Sequence, residues 1–187
     1  IEDETGKQIS VIDAEKLSRE HGLDNVAIHR AELHQALLKN IPNNKIITGK
    51  KAVDFEEHAN GITIHFQDGS KAEGAAAIIA DGINSAIRKK LLPEVSPRYS
   101  GYTCWRGVVN NQWKIKHHAV ETWGANGRFG YVPIGNNQIY WFACKNAPPK
   151  DERIAMFSVN DLVDNFRDYA SPIPQLIEDT NESELIW

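Results

Sequence analysis

The chain has 187 residues, 41% of them apolar and 25% charged, enough for one substantial core or two small ones and far from the composition of a disordered segment. A net charge of −4, with Lys and Arg scattered along the chain, leaves no basic footprint for nucleic acid. No apolar run approaches the roughly 20 residues that cross a bilayer, so the reading is of a soluble, cytoplasmic protein without stable membrane insertion.

In chain order, Lys7–Ile12 alternates enough for a strand. Asp13 can cap a short helix running to about His21, which Gly22 can end. Arg30–Leu38 places Leu33, Ala36 and Leu37 on one helical face, and Pro42 stops the pattern. Arg30 therefore stands at a helix start, where a cation opposes the macrodipole. It is either an exposed arginine or one kept there for a phosphate.

Lys45–Thr48 and Lys51–Glu56 read as strands, and Asn60-Gly61 is the preferred dipeptide of a tight hairpin. Ile62, Ile64 and Phe66 then alternate with polar residues, and Asp68-Gly69 turns the chain into Lys71–Ala80. The result is a three-stranded meander. Its last part, Ala75–Ala80, reads as a buried strand that runs into Asp81-Gly82, with Asn84 and Ser85 as caps for a helix over 86–92. A strand, a sharp turn and a helix start form a nucleotide-edge site, because the first helical amides are free to meet a phosphate.

Beyond Pro93 and Pro97 the composition changes, and all five tryptophans follow. Tyr99–Asn110, Ala119–Trp123, Arg128–Ile134 and Gln138–Lys145 read as four strands joined by Gly/Asn turns. Most of their rings are expected in a core, with a few left to line a pocket for a flat ligand. After Ala147-Pro148-Pro149, Ser158 can cap an amphipathic helix over 159–169, and Pro172 and Pro174 redirect the chain toward a final strand. The sequence opens at Ile1 and closes on Leu185-Ile186-Trp187, so it reads as a fragment of a longer chain.

Cys104 and Cys144 fall in apolar strands and read as small core residues. The histidines, His117-His118 among them, show no metal-ligand spacing. No Gly-x-Gly-x-x-Gly follows a strand, and the run Gly124-Ala-Asn-Gly-Arg-Phe-Gly130 has the wrong spacing and reads as a loop. Nothing proposes a nucleophile or a general base, so no catalytic residue is assigned. An enzyme built on this chain needs a cofactor to carry the chemistry.

Three stretches in order, Ile28–Leu38, Ala80–Arg88 and Tyr99–Gly107, carry a resemblance to the single-component, FAD-dependent aromatic-ring hydroxylases, the para-hydroxybenzoate hydroxylase-like monooxygenases. The resemblance covers essentially the whole chain. It departs from the family's pattern in placing Ile79 where Gly is usual, and it holds neither the family's N-terminal Gly-x-Gly-x-x-Gly nor its C-terminal Gly-Asp motif.

The resemblance implies a mixed α+β and α/β fold: part of a Rossmann-like FAD/NAD(P)-binding domain, with helices and the three-stranded meander, plus an antiparallel-sheet substrate domain. The expected divisions are 1–25 with the substrate domain, 26–98 as the partial FAD domain, 99–157 as the substrate sheet, and 158–187 returning to the FAD domain. The implied cofactor contacts are Arg30, Val53, Asp81, Gly82, Ser85 and Arg88, with Asp81 orienting Arg30 or accepting a hydroxyl. Trp105, Trp123, Tyr131 and Trp141 are the implied pocket rings. The implied activity is an NAD(P)H-dependent monooxygenation, in which reduced FAD and oxygen give a flavin hydroperoxide that oxygenates a small aromatic substrate. The cofactor is FAD, with NADH or NADPH as reductant. Two alternatives stand beside this reading: a catalytically silent binding module, and a flavin reductase or dehydrogenase that adds no oxygen.

Overall fold

The computed structural model describes residues 1–23, 25–116 and 118–187. His117, one half of the His117-His118 pair, lies outside the described residues. The chain divides into two compact units, 1–36 with 100–187 and 37–99.

The first unit is built on a five-stranded sheet. Its elements are β1 (Glu2–Asp3), α1 (Ala14–His21) and α2 (Arg30–Leu38), the last running past the unit's limit at Ala36. In the second unit come β2 (Ala52–His58), β3 (Gly61–Phe66), β4 (Lys71–Gly74) and α3 (Ala86–Leu91). The first unit resumes with β5 (Tyr102–Asn110), β6 (Val120–Gly124), β7 (Gly127–Ile134) and β8 (Gln138–Asn146), followed by α4 (Glu152–Ala155), α5 (Val159–Phe166) and α6 (Ile173–Glu178). The large sheet has the order β1-β6-β7-β8-β5, and only the short β1–β6 pairing is parallel. The four long strands are those that the aromatic-rich segments and their Gly/Asn turns predict, within three residues at each end.

Register assigns the two faces of this sheet. Gly107 pairs with Trp141, Trp105 with Ala143 and Phe129 with Ala143, so these residues share one face with Val109 and Ile139. That face packs against Leu162 and Phe166 of α5 and Ile173, Leu176 and Ile177 of α6 to form the core. Phe129 and Trp141 stack with centroids 5.4 Å apart, and Phe166 meets Phe129 edge-on at 5.7 Å. The indole N–H of Trp141 donates to Thr180 Oγ1 at 2.9 Å, and that hydroxyl donates to the Leu176 carbonyl at 2.9 Å. Gly107 is required here by close approach: a Cβ would stand 2.6–2.7 Å from three atoms of the Trp141 indole.

α5 starts where Ser158 predicts, with a reciprocal capping box between Ser158 and Asp161, and ends at Phe166, three residues before the expected limit. α1 also follows its signals, with Asp13 accepting from the Lys16 N–H and Gly22 left-handed at its end. Residues 158–187 belong to the first unit and complete its core, which corrects the expectation that they return to the FAD domain. The final strand is reduced to one antiparallel bridge, between Ile186 and Arg106 on the edge strand β5.

The second unit is the meander β2-β3-β4 with α3 against β2. Ser85 caps α3 by accepting from the Arg88 N–H at 2.9 Å, and Ile87 is buried beneath it. Lys90 pairs with Asp54, donates to the Phe55 carbonyl at 3.0 Å and lies over the Phe55 ring.

Several strand expectations are corrected. Lys7–Ile12 makes a single bridge, Gln8 to Glu2, and Ile9, Val11 and Ile12 are exposed. Lys45–Thr48 follows a one-turn 3-10 helix, Asn43–Lys45, and pairs with nothing among the described residues. The hairpin residues are Ala59-Asn60, because His58 pairs directly with Gly61. β4 stops at Gly74, and Ala75–Ala80 is unpaired and exposed, with Ile78 at 95% of its free accessibility. A run of small apolar residues becomes a buried strand only between neighbouring strands, and none flanks it among the described residues.

Candidate functional site

A cavity of about 1140 Å³ lies wholly within the first unit. Its roof is the sheet face opposite the core: Arg106 and Val108 of β5, Val132 and Ile134 of β7, and Gln138 and Tyr140 of β8. Val26–Arg30 and Glu32 form one wall, and Ser183, Glu184 and Ile186 another. Strand alternation explains the roof, since Arg106 and Val108 interleave with the core residues Trp105, Gly107 and Val109.

Two sets of hydrogen bonds fix the walls. Arg106 donates its N–H to the Ile186 carbonyl at 2.8 Å and accepts the Ile186 N–H at 3.0 Å, which holds the C-terminal segment at the cavity's edge. The Asn136 side-chain amide in the β7–β8 turn donates to the Glu32 carboxylate, tying the start of α2 to the sheet. Asn136 and Asn137 both adopt left-handed backbone, as the Gly135-Asn-Asn turn predicts.

The polar end of the roof is Arg106 beside Tyr140. Burial pushes the Tyr140 hydroxyl above its usual range, and the neighbouring Arg106 guanidinium pulls only partly the other way. Tyr140 thus keeps its proton at neutral pH and presents an O–H donor. Among the described residues Arg106 forms no carboxylate pair, so a cation faces a largely apolar space.

Of the four predicted pocket rings, three are corrected by register. Trp105, Tyr131 and Trp141 point to the core face, Trp105 stacking on Phe157 at 5.4 Å, and none lines the cavity. Trp123 points away from the core but is about half exposed, with its indole N–H donating to Glu121 at 2.8 Å, and it also lies outside the cavity lining. Arg106 and Tyr140 were not predicted as site residues. The available signal was a lone arginine within the apolar run Cys104-Trp105-Arg106-Gly107-Val108.

The predicted cofactor residues divide between the units. Arg30 belongs to the first unit, opens α2 on the cavity wall, and pairs with no carboxylate among the described residues. The adjacent Ala31 N–H is capped by His29 Nδ1 at 3.2 Å. The others belong to the second unit. Val53 is partly exposed on β2, and Asp81 and Gly82 are exposed, Gly82 with φ +82° and open space where a Cβ would stand. Ser85 and Arg88 have structural roles: Ser85 caps α3, and Arg88 turns back to donate to the Ile83 carbonyl. α3 has six residues, too short for its N-terminus to serve as the expected phosphate cradle.

The Gly124–Gly130 run is a hairpin with a two-residue turn at Ala125-Asn126. Its outer glycines answer to packing, since a Cβ on Gly124 would collide with Tyr169 and one on Gly130 with the Phe142 ring. Among the described residues no group of His, Cys, Asp and Glu side chains is placed to hold a metal ion, and no helix is long and apolar enough to cross a membrane.

No protein-family model matches the chain. It is 37% identical over 187 residues to the aurachin C monooxygenase/isomerase of Stigmatella aurantiaca, a match spanning 97% of this chain and 47% of that protein. It is 35% identical over 135 residues to the 3-amino-4-hydroxybenzoate 2-monooxygenase of Streptomyces cremeus, covering 70% of this chain and 34% of that one. The solved R204Q HpxO of Klebsiella pneumoniae, complexed with FAD, superposes with a TM-score of 0.84 at 26% identity, over 99% of this chain and 49% of HpxO. The chain belongs with the FAD-dependent aromatic hydroxylases. It spans about half the length, or less, of the relatives it matches. The hydroxylase chain thus carries a sheet whose one face is core and whose other face roofs the cavity.

Proposed function

We propose that the protein carrying this chain is an NAD(P)H-dependent FAD monooxygenase that hydroxylates a small aromatic substrate in the cavity beneath β5, β7 and β8. The observation that carries this reading is the cavity itself: an apolar roof with Arg106, which has no carboxylate partner among the described residues, beside a protonated Tyr140, in a chain homologous to monooxygenases along nearly its whole length. Bound FAD supplies the activation of oxygen. The chain's own residues bind, orient and exclude water.

Val108, Val132 and Ile134 take the flat apolar face of the substrate. The Arg106 guanidinium meets a phenolate, carboxylate or carbonyl oxygen, and Tyr140 donates a hydrogen bond to the same end. At about 1140 Å³ the cavity exceeds the roughly 300–1,000 Å³ of ordinary small-molecule sites. It therefore has room for a substituted or two-ring aromatic, or for a ring together with the edge of a cofactor. Arg30 is suited to a pyrophosphate as an unpaired cation. The exposed Asp81 carboxylate is suited to accept from a ribityl or ribose hydroxyl, with the open backbone of Gly82 and Val53 beside an adenine.

The test is expression of the full-length protein, followed by flavin spectroscopy and turnover under ¹⁸O₂ with candidate aromatics. Expected are a flavin absorbance, substrate-stimulated NADH or NADPH oxidation, and one labelled oxygen in the product. Oxidation of the nicotinamide without label would establish the reductase or dehydrogenase reading, and absence of flavin would refute both. For the 187 residues alone the silent-module alternative is expected, with no FAD retained; the exposure of Asp81 and Gly82 beside an unpaired Ala75–Ala80 supports it.

A further inference from the structure

Cys104 of β5 stands directly opposite Cys144 of β8. The backbone bonds of Arg106 to Ile186 turn its N–H and C=O away from β8. Peptide directions alternate along a strand, so Cys104, two residues earlier, also turns its peptide groups away from β8. The Gly101 carbonyl, which accepts from the Ala147 N–H at 3.1 Å, obeys the complementary parity. Cys104 and Cys144 are therefore a non-hydrogen-bonded antiparallel pair, the kind with Cα atoms about 4.5 Å apart and side chains closest. Disulfides bridge Cα separations of about 4.4–6.8 Å. Both thiols are free, and both project from the face that carries Arg106 and Tyr140.

We propose that Cys104 and Cys144 form an oxidisable dithiol, which hydrogen peroxide converts to a cross-strand disulfide beside the substrate cavity. One sulfur attacks a peroxide oxygen; the O–O bond breaks, a sulfenic acid forms and water leaves. The second sulfur then attacks the sulfenic sulfur; the S–S bond forms, the S–O bond breaks and a second water leaves. Two electrons and two protons pass from the dithiol to the peroxide, and a dithiol reductant reverses the change.

The pair is held in reserve rather than poised to react. Burial, and then the neighbouring Cys144 thiol, push the Cys104 thiol up to about 11, so it carries little thiolate at neutral pH. Oxidation thus requires sustained peroxide. The dithiol chemistry stands on strand geometry. Only the source of peroxide, a reduced flavin that gives both electrons to oxygen instead of to substrate turnover, rests on the monooxygenase reading.

The experiment exposes the folded full-length protein to hydrogen peroxide, alkylates residual thiols under denaturing conditions and maps the peptides by mass spectrometry. Expected is a linked pair of peptides holding Cys104 and Cys144, lighter by two hydrogens than the reduced pair and separated by dithiothreitol. Cys104→Ser and Cys144→Ser should each abolish the link. Recovery of both cysteines singly alkylated, oxidation to sulfinic acid without a link, or a link between chains would overturn the proposal. Flavin content measured on the same sample reports separately on the monooxygenase reading.

Discussion

Replacing Gly107 by alanine tests the register on which the site depends. The added Cβ would stand 2.6–2.7 Å from Cε2, Cζ2 and Nε1 of Trp141, whereas non-bonded carbon contacts settle near 3.5–4.0 Å. The indole must therefore retreat by about 1 Å. It has little room, being fully buried, stacked on Phe129 and hydrogen-bonded to Thr180. Overpacking of this kind costs about 1–3 kcal/mol. Weakening the bond to Thr180 adds about 0.5–1.5 kcal/mol. The stiffer unfolded chain returns about 0.4–1 kcal/mol. The net is a loss of about 0.5–4 kcal/mol, centred near 2, which at a urea m-value near 2 kcal/mol per molar lowers the midpoint by about 1 M. Urea titration of the intact protein, followed by tryptophan fluorescence, reads this directly. The paired variant Trp141→Leu makes space for the methyl group, so Gly107→Ala should cost little in that background. An unchanged midpoint in the single variant, or an equal loss in both backgrounds, would refute the contact and the face assignment with it.

Three further outcomes follow from the same geometry. Arg106→Gln should raise KM for an oxyanion-bearing aromatic by about 10–100-fold, the worth of a charged hydrogen bond of about 1.5–3 kcal/mol, with flavin absorbance unchanged; loss of flavin instead would move Arg106 to the cofactor. Ser85→Ala removes the cap of α3 and should cost about 1 kcal/mol by urea titration, and an unchanged midpoint would show that Asn84 or water replaces it. Asp68 accepts from Lys50, Ser70 Oγ and the Ser70 N–H, which together hold its carboxyl well below the usual carboxylate range. A depressed folded pKa stabilises above the unfolded value, near 3.9, and this is lost as pH falls through the folded value. Asp68→Asn should therefore lower Tm by a constant amount from pH 5 to 8, with the difference closing below about pH 4; a difference that persists in strong acid would contradict the ion-pair account.

The hairpins of the large sheet were legible in the sequence because Gly/Asn turns separate apolar, aromatic-rich segments of strand length. The face assignment was not. Gln138-Ile-Tyr-Trp-Phe-Ala-Cys144 is apolar on both sides, so hydropathy cannot say whether Tyr140 or Trp141 meets the core. The close approach of Trp141 to Gly107 decides it, and that contact spans 34 residues of sequence. Ala75–Ala80 misled for another reason: its composition suits a strand buried between neighbours, and none of the described residues supplies them. At Asn60-Gly61 the dipeptide signal was real, but Gly61 answers to the nearby Gly74 carbonyl, with which any Cβ would collide, and the turn moves back by one residue. The pairing of Cys104 with Cys144 needed register as well. Arg30 and Asp81 were readable as residues of interest from their positions at element boundaries, while the structural work of Ser85 and Arg88 emerged only from their hydrogen bonds.

The two-sided sheet also constrains how such a chain can diversify. Residues 106, 108, 132 and 140 can be exchanged without touching the side chains that hold the domain together, because each is flanked along its own strand by core positions that stay fixed. Point substitutions therefore offer many different cavity linings at small cost in stability. A single inserted or deleted residue within β5, β7 or β8 would instead exchange the two sets, exposing Trp105 or Trp141 and driving Arg106 or Tyr140 into the core. Changes of length are confined to the turns, and the cavity's chemistry can drift only by substitution.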